Sequence, residues 1–157
     1  MSGSKEEKKD FEVVALNKKA RFDFHIVECF EAGLVLTGNE IKSIRAGAIN
    51  LKESYIRPQG GELHLIGAHI TEYEHSSDSK YNPVRPRKLL MHKHEILKLA
   101  SRVEAKGFTI VPLRVYLKRN LAKLELALAK GKDAPDKRRS EIDKEKRREA
   151  ERAMKRG

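Results

Sequence analysis

The side chains best suited to chemistry in this sequence are two histidines, His92 and His94, and three glutamates, Glu28, Glu31 and Glu40. The histidines are two residues apart, which puts them on different faces of a helix, and no cysteine cluster accompanies them. We therefore interpret them as solvated or capping side chains rather than metal ligands. A pair of glutamates could act as general acid and base, but nothing in the local sequence indicates a pocket, so we predict surface charges. Because the P-loop, GxSxG and HExxH motifs are also missing from the sequence, we predict a protein that is not an enzyme and has no metal site and no cofactor.

Basic side chains are the more informative group, with 34 Lys and Arg against 23 Asp and Glu and a formal net charge of +11. Five short basic clusters are spread over the chain: NKKAR, IKSIR, RPRK, YLKR and AKGKD. One such cluster is usually a solvated surface, but five in a domain of this charge favour a nucleic-acid-binding surface. Aromatic residues make up only 6% and tryptophan is missing, so folded RNA is a better ligand than stacked single strands. The candidate RNA-binding residues in these clusters are Lys18, Lys19, Arg21, Lys42, Arg45, Arg87 and Lys88.

The elements that must position these residues alternate between strands and short helices. In chain order we predict a strand over 22–30 that resumes at 34–36, a helix over 37–47, a hairpin over 49–70, a polar loop over 75–88, a helix over 92–106 and a second hairpin that turns near Asn120. The apolar stripe of the second helix consists of Ile96, Leu97, Ala100 and Val103. Thr37 and Glu40 have the spacing of a capping box, and the single cysteine, Cys29, lies in the first strand, where we predict a buried thiol. This order predicts a mainly β (α+β) fold. Periodicity leaves open whether it is a small closed barrel or an open sheet with helices on one face.

The charge pattern divides the chain into three parts. Residues 1–10 are small or charged and predict a disordered N-terminal extension, 11–130 predict the folded body, and 131–157 predict a basic C-terminal tail. Residues 130–157 hold twelve Lys and Arg against seven Asp and Glu. Gly131 suits a pivot, and Pro135 disfavours a helix that continues straight from the strand. The tail is either a solubilising segment or one that folds against a polyanion.

Seven segments of the chain together resemble the SsrA-binding protein (SmpB) family. They are ALNKKAR, FEAGLVLTGNEIKSIRAG, ESYI, RPRKLLMHKHEI, VEAKGFTIVPLRVYLK, LALAKGK and DKRRS, and they come in the family's order over nearly the whole chain after residue 14. The resemblance implies an oligonucleotide-binding-type closed β-barrel of about six strands with short helices. It also implies a tail that is disordered when free and helical on the ribosome.

The function implied by this resemblance is ribosome rescue by trans-translation. The body would bind the tRNA-like domain of tmRNA, and elongation factor Tu with GTP would carry the complex to a ribosome stalled on mRNA that lacks a stop codon. The tail would sense the empty mRNA channel near the decoding centre, against small-subunit rRNA. Such a protein is expected to be a monomer in the cytoplasm.

The resemblance also carries over individual residues. Glu31, Leu90 and Lys123 match the positions at which the family contacts the tRNA-like domain. The residues that match the hinge and tail motifs are Lys130, Gly131, Lys132, Asp136, Lys137, Arg138, Met154 and Lys155. The chain departs from the family's usual pattern at Asp133, where a lysine is common, and at Pro135, where an aromatic residue or histidine is common.

An alternative left open by the residues themselves is a ribosomal or ribosome-assembly protein of the same barrel class, bound permanently to rRNA. A tail needed for assembly would favour that alternative. Membrane attachment is not expected, because the sequence has no apolar run of about 18 residues, no signal peptide and no lipidation motif. We therefore expect a soluble cytosolic protein.

Overall fold

The computed structural model describes residues 11–73, 80–104 and 107–132, together with Arg148. Within these ranges the strands are β1 (Phe11–Leu16), β2 (Phe24–Leu34), β3 (Ile49–Asn50), β4 (Tyr55–Gln59), β5 (Glu62–Ile66), β6 (His69–Ile70), β7 (Arg87–Leu90), β8 (Phe108–Lys118) and β9 (Leu121–Gly131), and the helices are α1 (Lys18–Asp23), α2 (Gly38–Arg45) and α3 (Lys93–Glu104). The predictions for residues 1–10 and for the tail beyond Lys132 lie outside the described residues.

Seven of these strands form one antiparallel sheet in the order β1-β8-β9-β2-β7-β5-β4, and β3 pairs with β6 in a separate ladder. The prediction of a mainly β fold with short helices is confirmed. Within the described residues, β1 and β4 each pair with a strand on one side only, so the sheet is not closed. The predicted closed barrel is therefore not confirmed, and the sheet has seven strands rather than about six.

Both predicted hairpins form, and each turns through two residues with left-handed backbone. Gly60 and Gly61 join β4 to β5 with φ of 59° and 76°, and Arg119 and Asn120 join β8 to β9 with φ of 51° and 65°. Two consecutive left-handed residues match the right-handed twist of paired strands, and glycine and asparagine tolerate this backbone best. The turns therefore fix the register of the two hairpins.

The core lies on both faces of the β8–β9 hairpin. The main cluster includes Ile44 of α2 and Leu99 of α3, packed with sheet residues such as Leu124 and Leu126. A second cluster lies under α1 and contains Ala20, Val111, Leu113, Ala127 and Ala129. Because β8 and β9 are covered on both sides, they form the rigid centre of the protein.

Several local predictions were wrong. The segment FEVVAL forms β1, which was not predicted, and Phe22 lies in α1 rather than in a strand, since its neighbours Lys18–Arg21 are good helix formers. Helix α3 has nearly the predicted bounds, but Leu99 is its buried residue and Leu97 is exposed. Cys29 is exposed rather than buried, because it lies on the face of β2 that points away from the main core.

Candidate RNA-binding surface

A cleft of about 350 Å³ brings together the three residues that resemblance assigned to the tRNA-like domain. Its lining residues are Glu31, Ala32, Gly33, Leu90, Met91, His92, Glu95 and Lys123. Strand β2 lies between β7 and β9, and Gly33 pairs with Leu90 on one side and with Lys123 on the other. We refer to Glu31, Leu90 and Lys123 as the cleft triad.

Gly33 permits this close arrangement. The sequence suggested that it interrupts the strand, but β2 continues through it to Leu34. A Cβ atom at residue 33 would lie 3.3 Å from the Leu90 Cβ, a tight contact that would push the leucine outwards. Leu90 itself is 54% exposed, so it offers an apolar contact to a ligand at the cleft rim.

Glu31 is the acidic member of the cleft triad. Its carboxylate accepts a hydrogen bond from the Tyr116 hydroxyl, and Lys118 Nζ lies 3.7 Å from Oε2. The Tyr116 hydrogen bond lowers the pKa of Glu31 against the effect of its partial desolvation, and the charges of Lys118 and Lys123 lower it further. Glu31 is therefore an ionised hydrogen-bond acceptor beside two cations at neutral pH.

A second basic group lies at the other end of β9. Gly131 pairs with Phe24, so it is part of the strand rather than a pivot. The next residue, Lys132, donates its backbone N–H to Asp23 O at 3.0 Å and its Nζ to Arg21 O at 3.0 Å. These bonds fix the start of the tail against α1. The predicted basic residues Lys18, Lys19, Arg21, Lys130 and Lys132 lie at this end of the sheet.

The basic residues of α2 lie near the turn between β8 and β9. Arg45 Nη2 donates to Asn120 O at 3.3 Å, and Lys42 Nζ lies 5.4 Å from the centre of the Tyr73 ring. Both side chains belong to exposed residues, as the sequence predicted for RNA-binding groups. Arg45 is therefore anchored at the β8–β9 turn, three residues before Lys123 in the chain.

The prediction that Arg87 binds RNA was wrong, because its side chain is completely buried. Its guanidinium donates to Glu40 Oε2 through Nε at 3.0 Å and through Nη2 at 2.6 Å, and its Nη1 donates to Ala68 O at 2.7 Å. With its donors occupied inside the protein, Arg87 is not available to RNA. Lys88, the next residue, is exposed, and its Nζ lies 3.2 Å from Glu62 Oε1.

Glu40 requires the matching correction, because it is 1% exposed rather than a surface charge. The predicted capping box is confirmed, with the Thr37 N–H donating to Glu40 Oε1 at 3.0 Å. Arg85 donates to the same carboxylate, as does Arg87. Burial would raise the pKa of Glu40, but the hydrogen bonds from Arg85, Thr37 and Arg87 outweigh it and hold the pKa at about 2.

The remaining predictions concern metals and membranes. His92 and His94 are exposed, with their rings stacked 5.6 Å apart. No group of three or more His, Cys, Asp or Glu within the described residues is arranged to hold a metal ion. Among the helices that can be described, none is long and apolar enough to cross a membrane. The predicted tail residues Asp136, Lys137, Arg138, Met154 and Lys155 lie outside the described residues.

Sequence reasoning missed Tyr116, which supports Glu31 across the sheet from β8. The alternation of β8 shows only that Tyr116 lies on one face of the strand. Its partner is 85 positions away in the chain, so the contact follows from the order β8-β9-β2 and not from local spacing.

Three comparisons with known proteins point in one direction. The family model "SmpB protein" matches residues 14–156. An SsrA-binding protein of Shouchella clausii is 54% identical over 143 residues, covering 91% of this chain and 92% of that protein. One from Pelotomaculum thermopropionicum is 49% identical, covering 91% of this chain and 94% of that protein. A chain of the solved structure "tmRNA-SmpB: a journey to the center of the bacterial ribosome" is 47% identical, with a TM-score of 0.63 over 76% of this chain and 84% of that one.

Proposed function

Because the chain belongs to the SmpB family, we propose that it binds the tRNA-like domain of tmRNA and delivers tmRNA to stalled ribosomes for trans-translation. The observation that carries this proposal is the cleft between β7, β2 and β9, where the cleft triad meets on one surface. A cation, an ionised acceptor and an exposed leucine side by side suit a folded RNA surface that presents phosphates, sugar hydroxyls and base faces together.

The basic residues around the cleft extend this surface. Lys88 on β7, a strand of the cleft, is an exposed cation, and so are Arg45 and Lys42 on α2, the helix that contacts the β8–β9 turn. They would neutralise phosphates without reading sequence, and the affinity for tmRNA would then fall steeply with salt. Arg87 is left out of this surface, since its side chain supports α2 and the loop before β7 from inside.

We propose that the tail acts on the ribosome, with the residues beyond Lys132 entering the empty mRNA channel near the decoding centre and residues 130–132 binding the ribosome at the base of the tail. The proposal is supported by the basic group at the end of β9, where Lys132 is bonded to α1. The proposed contact residues are Lys130, Gly131, Lys132, Asp136, Lys137, Arg138, Met154 and Lys155. Lys18, Lys19 and Arg21 border the start of the tail, and we propose that these cations bind the tRNA-like domain together with the cleft.

Other parts of the function follow from this proposal. Elongation factor Tu with GTP would be a partner through the tmRNA complex rather than through a direct site. The protein would work as a monomer in the cytoplasm, without catalysis of its own. Its role would be to complete the shape of the tRNA-like domain and to test for an empty mRNA channel.

The proposal is tested by truncation after Lys132, which keeps β9 and both bonds to α1. The truncated protein should bind the tRNA-like domain with unchanged affinity in a fluorescence titration but should not support peptide tagging in a reconstituted translation reaction on stop-codon-less mRNA. Loss of RNA binding together with tagging would refute the division between body and tail. A ribosome-assembly defect without any tagging defect would instead favour the alternative of a permanent rRNA-binding protein.

A further inference from the structure

The cleft triad contains a carboxylate, and a carboxylate on a surface that binds RNA needs a physical explanation. The Glu31 side chain is 43% exposed and ionised, so it would repel phosphate oxygens. A carboxylate can only accept hydrogen bonds. The RNA groups that can donate to it are sugar 2′-hydroxyls and base N–H groups. For Glu31 to bind RNA, a hydrogen-bond donor of the RNA must lie beside it, and the carboxylate must be oriented toward that donor.

The two oxygens of Glu31 have different surroundings. The hydrogen bond from the Tyr116 hydroxyl and the ion pair with Lys118 both go to Oε2. Within the described residues, no hydrogen bond to Oε1 is found, so this atom can accept from a ligand. Because Oε2 is held by these two partners, the direction in which Oε1 accepts a hydrogen bond is fixed as well.

Tyr116 is itself held rigidly. The side chain belongs to a residue that is only 4% exposed, and its ring centre lies 4.9 Å from that of Phe11 on β1. The Arg114 guanidinium lies 5.0 Å from the Tyr116 ring centre and 5.2 Å from that of Phe11. Arg114 Nε is in turn 3.4 Å from Glu125 Oε1. Packing from two strands thus limits the ring to one position, and the hydroxyl with it.

The protonation states favour the same arrangement. Burial, the hydrogen bond to Glu31 and the charge of Glu31 all raise the pKa of Tyr116. The hydroxyl therefore stays protonated and acts as a donor under all physiological conditions. Lys118 and Lys123 flank the carboxylate and can balance the nearby phosphates that would otherwise repel it.

We propose that Tyr116 is a positioning residue that holds Glu31 so that Oε1 accepts a hydrogen bond from a 2′-hydroxyl or base N–H of the bound RNA. This inference rests on the proposed function and deepens it, because it assigns the cleft a donor-recognising atom beside its phosphate-binding cations. Tyr116 contacts no RNA itself. It acts through Glu31, so its effect must disappear when Glu31 can no longer respond.

A double-mutant cycle tests this dependence with the tRNA-like-domain RNA as the probe. Tyr116→Phe and Glu31→Gln should each weaken binding about tenfold, since each removes a charged hydrogen bond. The double variant should bind the RNA with the same affinity as Glu31→Gln alone. The salt dependence of binding should be the same in both single variants, the double variant and the parent, because no phosphate contact is lost. Tyr55→Phe, at an exposed tyrosine of β4, is the matched control and should bind normally. Additive losses, or normal binding by Tyr116→Phe, would overturn the proposal.

A measurement without RNA separates positioning from general damage. In the free protein, the pKa of Glu31 followed by carboxyl ¹³C NMR should rise toward its ordinary value in Tyr116→Phe and stay unchanged in Tyr55→Phe. An unchanged pKa of Glu31 in Tyr116→Phe would overturn the proposal even if RNA binding fell. If the parent protein fails to bind the RNA at all, the proposed function fails, and this titration still judges the Tyr116–Glu31 contact.

The donor on the RNA is identified by pools of the same RNA with random 2′-deoxy substitutions. A position whose deoxy substitution weakens binding to the parent but not to Glu31→Gln identifies a sugar hydroxyl as the donor. If no deoxy position depends on Glu31 while the double-mutant cycle remains non-additive, the donor is a base N–H.

Discussion

The buried carboxylate of Glu40 should dominate the acid stability of the protein, and replacing it with glutamine tests this. Glutamine keeps an oxygen for the capping-box bond from Thr37 but removes the charge that balances Arg85 and Arg87. The pKa of Glu40 lies at about 2 instead of the ordinary 4.5, a difference that corresponds to about 3 kcal/mol of stability when the group is ionised. Breaking a buried ion pair by removing one partner has a cost of the same size.

The sign of the pH dependence follows from the direction of this pKa shift. Because folding lowers the pKa of Glu40, its stabilisation is fully present above about pH 4.5 and is lost as the pH falls toward 2. Glu40→Gln should therefore lower the free energy of unfolding by about 3 kcal/mol at pH 7 and by only about 1 kcal/mol at pH 3, because at pH 3 Glu40 is almost fully protonated in the unfolded chain and only the folded state still holds it ionised.

Urea unfolding followed by far-ultraviolet circular dichroism at pH 7, 5 and 3 measures these differences. The matched control is Glu28→Gln, which removes a half-exposed carboxylate whose Oε2 lies 2.9 Å from Lys98 Nζ. An exposed pair of this kind contributes at most about 1 kcal/mol. The reasoning is refuted if Glu40→Gln costs no more than Glu28→Gln, or if its cost is the same at pH 7 and pH 3.

Three further predictions concern Lys123, Gly33 and Cys29. Lys123→Glu should weaken binding of the tRNA-like domain at least tenfold and reduce its salt dependence, whereas Lys98→Glu on α3 should have little effect; equal losses in a titration over several salt concentrations would contradict the assignment of the cleft. Gly33→Ala should leave the protein folded but displace Leu90 by a few tenths of an ångström. RNA affinity should therefore fall, while the melting temperature changes by a few degrees at most. A Gly33→Ala variant with the affinity of the parent would show that Leu90 does not contact the RNA. Cys29 should react with a thiol reagent such as Ellman's reagent in the native protein as fast as in urea, and strong native-state protection would contradict its exposed position on β2.

The features that could be predicted from the sequence are those set by residues close together in the chain. Thr37 and Glu40 form the predicted capping box because both partners belong to one helical turn. Asn120 and the Gly60–Gly61 pair mark hairpin turns, since few other residues adopt left-handed backbone without strain. In each case the pattern and the structural cause lie within a few residues.

The features that could not be predicted depend on contacts between distant segments. Arg87 and Glu40 are 47 positions apart, so neither neighbourhood shows that the two charges neutralise each other inside the protein. A lone arginine or glutamate is usually on the surface, and that general rule gave the wrong prediction for both. The cleft triad came from the family resemblance, and its members meet only because β2 lies between β7 and β9.

The hairpin of β8 and β9 also has a mechanical consequence. Lys123 and Lys132 lie near opposite ends of β9, about 30 Å apart at the usual rise per residue of a strand. If the hairpin rotates as a rigid unit by about 10° about the end that bears Lys123, its other end moves by about 5 Å. A substitution in the cleft that rotates the hairpin without weakening RNA binding would therefore move Lys132, and we expect it to impair the proposed tagging function while leaving RNA affinity unchanged.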